Sequence, residues 1–250
     1  MRWTKHKAGL CAVSLALPML LVGQATPAPP PPAQTPLPPV PASPPAAAPQ
    51  VAPRFLVLLD AAHGGSDTGA RLTPTLLEKD LTLDLADRLR SMLAARGIDV
   101  STTRNSDVTL SADSRAEIAD RTPFAACLLI HATATGSGVH LYTSSLSPTP
   151  LVRFMPWQTA QSAYVTQSLK LSSDIDSALS HAEIPVTLGR TSLQPMDSFT
   201  CPSVAVEVAP LEAGSSSKGH PITDAAYQRT ILDALAAAIE EWRNDWREQP

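Results

Sequence analysis

The sequence predicts an α/β domain, a mainly parallel twisted sheet of about six strands with helices on both faces. Short unbroken apolar runs, FLVLL at residues 55–59 and ACLLI at 126–130, lack the polar alternation of a half-solvated strand and suit strands covered on both sides. Between such runs, apolar residues recur at helical spacing. Strand and helix signals alternate along the chain, and that order favours parallel pairing through helical crossovers.

The first strand, residues 55–59, is followed by Leu81, Leu85, Leu89, Met92 and Leu93, which share one face of a helix that Gly97 closes. Residues 98–103 read as the second strand. Ser111 starts a helix carrying Ile118 and Ala119, and residues 127–130 form a third, buried strand. Residues 139–142 make a fourth, and a helix lies between Ala160 and His181. Residues 204–208 are a late apolar strand, and a long helix from Asp224 to about Trp246 ends the domain. There is no internal repeat.

This domain takes residues 54–250. Ahead of it, residues 1–25 have the form of an export signal: Arg2, Lys5 and Lys7 precede an apolar run from Ala8 to Val22, with small residues at Gly23 and Ala25. The run is shorter than the roughly 20 residues that span a bilayer, and Pro18 interrupts it. The expectation is cleavage, a periplasmic or secreted location, and no stable membrane insertion afterwards. Residues 26–53 form a Pro/Ala-rich linker without the periodic apolar positions of a core. The chain carries −4, and losing the three cations of the signal takes it to −7. An acidic chain without a Lys/Arg cluster speaks against nucleic acid as a partner. Cys127 and Cys201 remain after cleavage, and a disulfide and two buried thiols fit the sequence equally well.

Three strands lead into ionisable residues. The first runs into Asp60-Ala61-Ala62-His63-Gly64-Gly65, the third ends at His131, and the late one contains Glu207. Open α/β sheets bind ligands beyond the carboxyl ends of their strands, so these groups can converge at one edge. Glu78, just before the first helix, can swing over the same edge. Any one of them has a bland reading as a solvated or turn residue; four at compatible places form a candidate site.

From about Phe55 to Trp242 the chain resembles the zinc-dependent N-acetylmuramoyl-L-alanine amidases of the Amidase_3 family. The resemblance rests on Asp60 to Gly65, Glu78-Lys79-Asp80, Arg115 with Ala119, Ile130-His131-Ala132, Gly138 to Tyr142, and Val206-Glu207. It implies that His63, Glu78 and His131 bind Zn2+ and that Glu207 acts in catalysis. Three protein ligands leave one tetrahedral position for water, and a nearby carboxylate can take that water's proton and pass it to the leaving nitrogen. The chain departs from the family at Ala61-Ala62 for Pro-Gly, Asp120 for Asn, Thr133 for Asn, and Ala209-Pro210-Leu211 for Gly-Phe-Leu. None of these removes a ligand.

Other groups rank lower. His140 is expected off the strand face opposite Val139 and Leu141, outside the metal site. His220 reads as a loop residue, solvated or lining the cleft, and Asp60 as a support for the turn or for a ligand. Neither His-Glu-x-x-His nor Gly-x-Ser-x-Gly occurs, which disfavours helical zinc peptidases and serine esterases. The implied substrate is peptidoglycan, its muramic acid and stem peptide, cut by a monomer in wall remodelling or cell separation. Two other readings stand beside it: a catalytically weak peptidoglycan-binding protein that keeps the fold, and a zinc peptidase acting on stem peptides. Residues 143–167 are a candidate lid, and an activator protein is a possible partner.

Overall fold

The computed structural model describes residues 54–151, 154–213 and 218–247. The chain divides into two units, Met1–Gln50 and Val51–Pro250, and every described residue belongs to the second. The expected signal (1–25) and linker (26–53) therefore lie outside the described residues.

β1 (Leu56–Ala61) is followed by a small hairpin, β2 (Arg71–Thr73) with β3 (Leu76–Leu77), and then by β4 (Asp99–Thr102), β5 (Ala126–Ala132), β6 (Val139–Ser144), β7 (Val186–Thr191) and β8 (Ser203–Val208). Apart from the hairpin they form one sheet in the order β4-β1-β5-β8-β6-β7. β4, β1, β5 and β8 are mutually parallel; β6 runs against β8, and β7 is parallel to β6. The reversal has a simple cause. Only residues 133–138 separate β5 from β6, too few for the crossover of a dozen or more that a parallel return needs.

The two faces of the sheet are covered unequally. Val57 and Leu59 of β1, Leu128 and Ile130 of β5, Val204 and Val206 of β8, and Val139 and Leu141 of β6 belong to one core with the apolar stripes of α1 (Glu78–Ala95), α3 (Val165–His181) and α4 (Ala225–Arg247). On α1 that stripe is Leu81, Leu85, Leu89 and Leu93. It ends where Gly97, at φ +69°, lets the Ile98 amide donate back to the Leu93 carbonyl. The alternate residues Leu58, Cys127, Leu129 and Ala205 pack with Ala116 and Ala119 of the short α2 (Ala112–Asp120), with Phe124, and with Met196 and Phe199. Ser111 caps α2 by accepting from the Ser114 amide. Three long helices line one face, and the short α2 lies on the other.

Cys127 and Cys201, both fully buried, form a disulfide with Cα atoms 6.1 Å apart. β7 and the β2–β3 hairpin have no counterpart among the strands read from the sequence. The lid expectation is overturned. Because β6 runs opposite to β5 and β8, it ends at Ser144 on the edge away from His131 and Glu207. The described part of residues 143–167 is tied there: Ser144 Oγ donates to Asp197, and Gln161 Nε2 donates to the carbonyls of Phe199 and Cys201. Among the described residues, no helix is long and apolar enough to cross a membrane.

Candidate metal centre

β1 delivers the chain into the turn at residues 61–65, and buried side chains fix that turn by its carbonyls. Arg115, on α2, donates to the carbonyls of Ala61 (2.8 Å) and His63 (2.6 Å) and pairs with buried Asp60. Arg104 donates to the carbonyls of Ala61, Ala62 and Lys79, and Thr82 Oγ1 to Ala62. Lys79 Nζ reaches the Gly65 carbonyl and Asp107, whose other oxygen accepts from the Gly65 amide. The turn is thus held through backbone groups. Ala61 and Ala62 leave those groups in place, and both are buried, at 0 % and 4 % exposed. Asp60 supports the turn, as expected.

This scaffold holds His63 at φ +61°, a left-handed conformation uncommon for a residue with a side chain. His63 Nε2 lies 3.1 Å from Glu78 Oε2, and Nδ1 lies 2.9 Å from Asp67 Oδ2. Glu78 is the first residue of α1, with its side chain 7 % exposed. Its Oε2 also accepts from the Ala70 amide, and its Oε1 from the Ala132 amide and from His131 Nδ1 at 3.1 Å. The two imidazoles meet edge to face with centroids 5.6 Å apart. Ligand atoms of His63, Glu78 and His131 all lie within 4.8 Å of one another, and the His side chains remain 24 % and 21 % exposed. The cluster is therefore open to solvent on one side.

The electrostatics follow from this packing. Burial alone would raise the Glu78 carboxyl, but hydrogen bonds from His131, His63 and the Ala70 and Ala132 amides outweigh it and hold the pKa far below the usual range. The Glu78 carboxylate raises the pKa of His63 against the opposing effect of burial, with Asp67 adding to it. Two imidazole nitrogens and an ionised carboxylate are the donor set zinc takes, and their spacing suits one shared ion with bonds of about 2.0–2.2 Å. Asp67 completes a carboxylate–histidine pair of the kind that fixes the tautomer of a metal ligand.

Glu207 lies in register with His131 across β5–β8 and with His140 across β8–β6. The three side chains therefore stand in a row on the α2 side of the sheet. His140 does point away from Val139 and Leu141, but the face it points to is the face of the site: its Nδ1 is 2.7 Å from Glu207 Oε2. The cluster of His63, Glu78 and His131 does not include His140, in line with its expected place outside the metal site; what the sequence did not show is its pairing with Glu207. Tyr142, one step along the same face, has its pKa raised by burial and by the charge of Glu207. His220 stacks on Tyr227 with centroids 5.8 Å apart and pairs with Asp224, which caps α4 by accepting from the Ala226 and Tyr227 amides. That is a structural role.

The sequence does not single out Asp67 or Arg104. For Asp67 a signal exists, an acid four residues after a candidate ligand across a glycine turn. For Arg104 we find none, since it becomes meaningful only once β4 is seen beside β1.

The N-acetylmuramoyl-L-alanine amidase model of the Amidase_3 family matches residues 57–241. The amidase AmiC of Neisseria meningitidis serogroup B is 31% identical over 139 residues, covering 50% of this chain and 32% of that protein. The amidase AmiA of Escherichia coli K12 is 39% identical over 77 residues, 31% of this chain and 27% of that protein. These matches span about a third or less of the relatives' length. Among solved structures, the amidase AmiC2 of Nostoc punctiforme superposes with a TM-score of 0.57 at 21% identity, covering 76% of this chain and 97% of that one. The CwlD amidase of Clostridioides difficile, solved in complex with the GerS lipoprotein, superposes with a TM-score of 0.55 at 20% identity, covering 77% and 100%. With its fold shared by these structures and a family match from β1 into α4, the chain belongs to the Amidase_3 family of N-acetylmuramoyl-L-alanine amidases.

Proposed function

We propose that this protein is a zinc-dependent N-acetylmuramoyl-L-alanine amidase of the cell envelope. It hydrolyses the amide between the lactyl group of muramic acid and L-alanine in peptidoglycan, in wall remodelling or cell separation. The observation that carries the reading is the convergence of His63, Glu78 and His131 within 4.8 Å at the sheet edge where Glu207 stands in register with His131. An envelope location is supported by the buried disulfide, which persists in oxidising compartments, and by the form of residues 1–25.

His63, Glu78 and His131 would hold zinc, which when bound would supply Lewis acidity and lower the pKa of a water toward about 7. The remaining work falls to the chain. With Asp67 accepting from His63 Nδ1, Nε2 on the Glu78 side would exchange its hydrogen bond to Glu78 for a bond to the ion that both residues would share. Glu207 takes a proton from the attacking water on a carboxylate oxygen as the C–O bond forms, and gives it to the L-alanine nitrogen as the C–N bond breaks. The products are a lactyl carboxylate and a stem peptide with a free amino terminus. The described residues of one copy supply every group invoked.

The test is digestion of purified sacculi with mass analysis of what is released. An amidase frees intact stems beginning with L-alanine, Glu207→Ala abolishes release while keeping its zinc, and His63→Ala and His131→Ala lose the metal. Binding of sacculi without release points instead to a wall-binding protein that keeps the fold, and cuts within the stem to a peptidase.

A further inference from the structure

We infer that His140 is a positioning residue for Glu207: its imidazole donates from Nδ1 to Oε2, fixing the carboxylate and leaving Oε1 as the oxygen that handles the proton. This deepens the reading above and rests on Glu207 being the proton-transferring group. Glu207 has three side-chain torsions and is 30 % exposed. It needs an external restraint to stay where the reaction requires it.

His140 is built to supply one. β6 and β8 pair antiparallel with His140 directly across from Glu207, so both side chains rise from the same face at neighbouring points, with Nδ1 2.7 Å from Oε2. An ionised carboxylate only accepts, so the imidazole is the donor. The ring itself is confined. Val139 and Leu141, on either side of it in sequence, are 0 % exposed in the opposite core, which prevents the strand from rolling. Gly136 closes the β5–β6 loop over the ring so tightly that a Cβ there would lie 2.6 Å from Cε1 and 2.8 Å from Nε2 of His140. The Tyr142 ring flanks it edge-on at 6.5 Å. A donor held on three sides and aimed at one oxygen of a half-exposed acid is an orienting device.

The experiment uses the full zinc-loaded chain and a soluble muramoyl-peptide. It compares wild type, Glu207→Gln, His140→Ala, His140→Leu and His140→Asn, and the Glu207→Gln/His140→Leu double variant. His140→Leu fills the space without a donor, and His140→Asn restores a donor near the position of Nδ1. We expect His140→Ala and His140→Leu to lose kcat by on the order of ten- to hundred-fold, as misplacement of a reacting group does, with KM and zinc content unchanged. His140→Asn recovers most of the loss. In the Glu207→Gln background, His140→Leu has no further effect. Wild-type kcat in His140→Leu beside a Glu207→Gln reduced to residual turnover overturns the positioning role while leaving the amidase reading intact, as does an equal fractional loss from His140→Leu in both backgrounds. Wild-type kcat in Glu207→Gln overturns the role assigned to that carboxylate, and the positioning role with it. If His140→Ala fails to fold, His140→Leu and His140→Asn decide the matter.

Discussion

Gly69 shows how little slack the proposed metal centre has. It sits at φ +62°, and a Cβ added there would lie 2.6 Å from both Glu78 Oε2 and His63 Cδ2. Gly69→Ala therefore pushes on two of the proposed ligands at once. We expect zinc affinity to fall at least as far as on losing an outer partner, about 10–100-fold, measured by competition with a chromogenic chelator. Asp67→Ala removes that outer partner itself. It frees the His63 ring to change tautomer, and a loss of about 10–100-fold in affinity with the fold unchanged is expected. Affinity equal to wild type would mean that the backbone turn alone orients His63. The same residues mark the limit of what the sequence conveys. His63, Glu78, His131 and Glu207 are readable as candidates because each lies at or near the end of a strand or at the start of a helix. Asp67, Arg104 and His140 act through neighbours brought near only by folding.

At the scale of elements, the strands readable from the sequence are those buried on both faces, such as β5 with ACLLIHA and β8 with SVAVEV. β7 is VTLGRT, at the edge of the sheet, and its half-exposed pattern leaves no apolar run to recognise. α4 packs Tyr227, 4 % exposed, between the end of β8 and the β5–β6 loop, where its hydroxyl donates to the carbonyls of Ala209 at 2.9 Å and Gly138 at 3.3 Å. Burial pushes the phenol up to about 12. The folded pKa lies above the unfolded value of about 10, so the folded state keeps its proton longer. The associated stability is fully present below about pH 10 and is lost as pH rises from about 10 to 12. Two pK units correspond to about 2–3 kcal/mol. Urea unfolding across this window should show the loss in wild type, and Tyr227→Phe should show a shallower decline by that amount. Parallel declines in the two proteins would mean that other groups carry the alkaline sensitivity.

At the scale of the whole molecule, the direction of β6 decides which residues reach the site. A six-strand α/β sheet is legible in the sequence, but strand polarity is a matter of connection length. The short span at 133–138 was the available clue: it forces β6 to turn back, puts His140 opposite Glu207, and starts the segment after Ser144 from the far edge. The Cys127–Cys201 disulfide lies toward that far edge, joining the start of β5 to the segment entering β8, the two strands whose other ends present His131 and Glu207. It closes a separation of 74 residues, which in the chain-entropy model corresponds to about 4 kcal/mol of stability through restriction of the unfolded chain. The native register of β5 on β8 is set independently, by six parallel residue pairs. Stability and site geometry should therefore separate. The Cys127→Ala/Cys201→Ala double variant is expected to melt on the order of 10 °C lower yet bind zinc and turn over substrate like wild type well below its transition. Calorimetry beside zinc content and kcat at low temperature checks this. An unchanged melting temperature would deny the bond its stabilising role, and a lost kcat in a folded, zinc-loaded variant would make it part of the catalytic geometry.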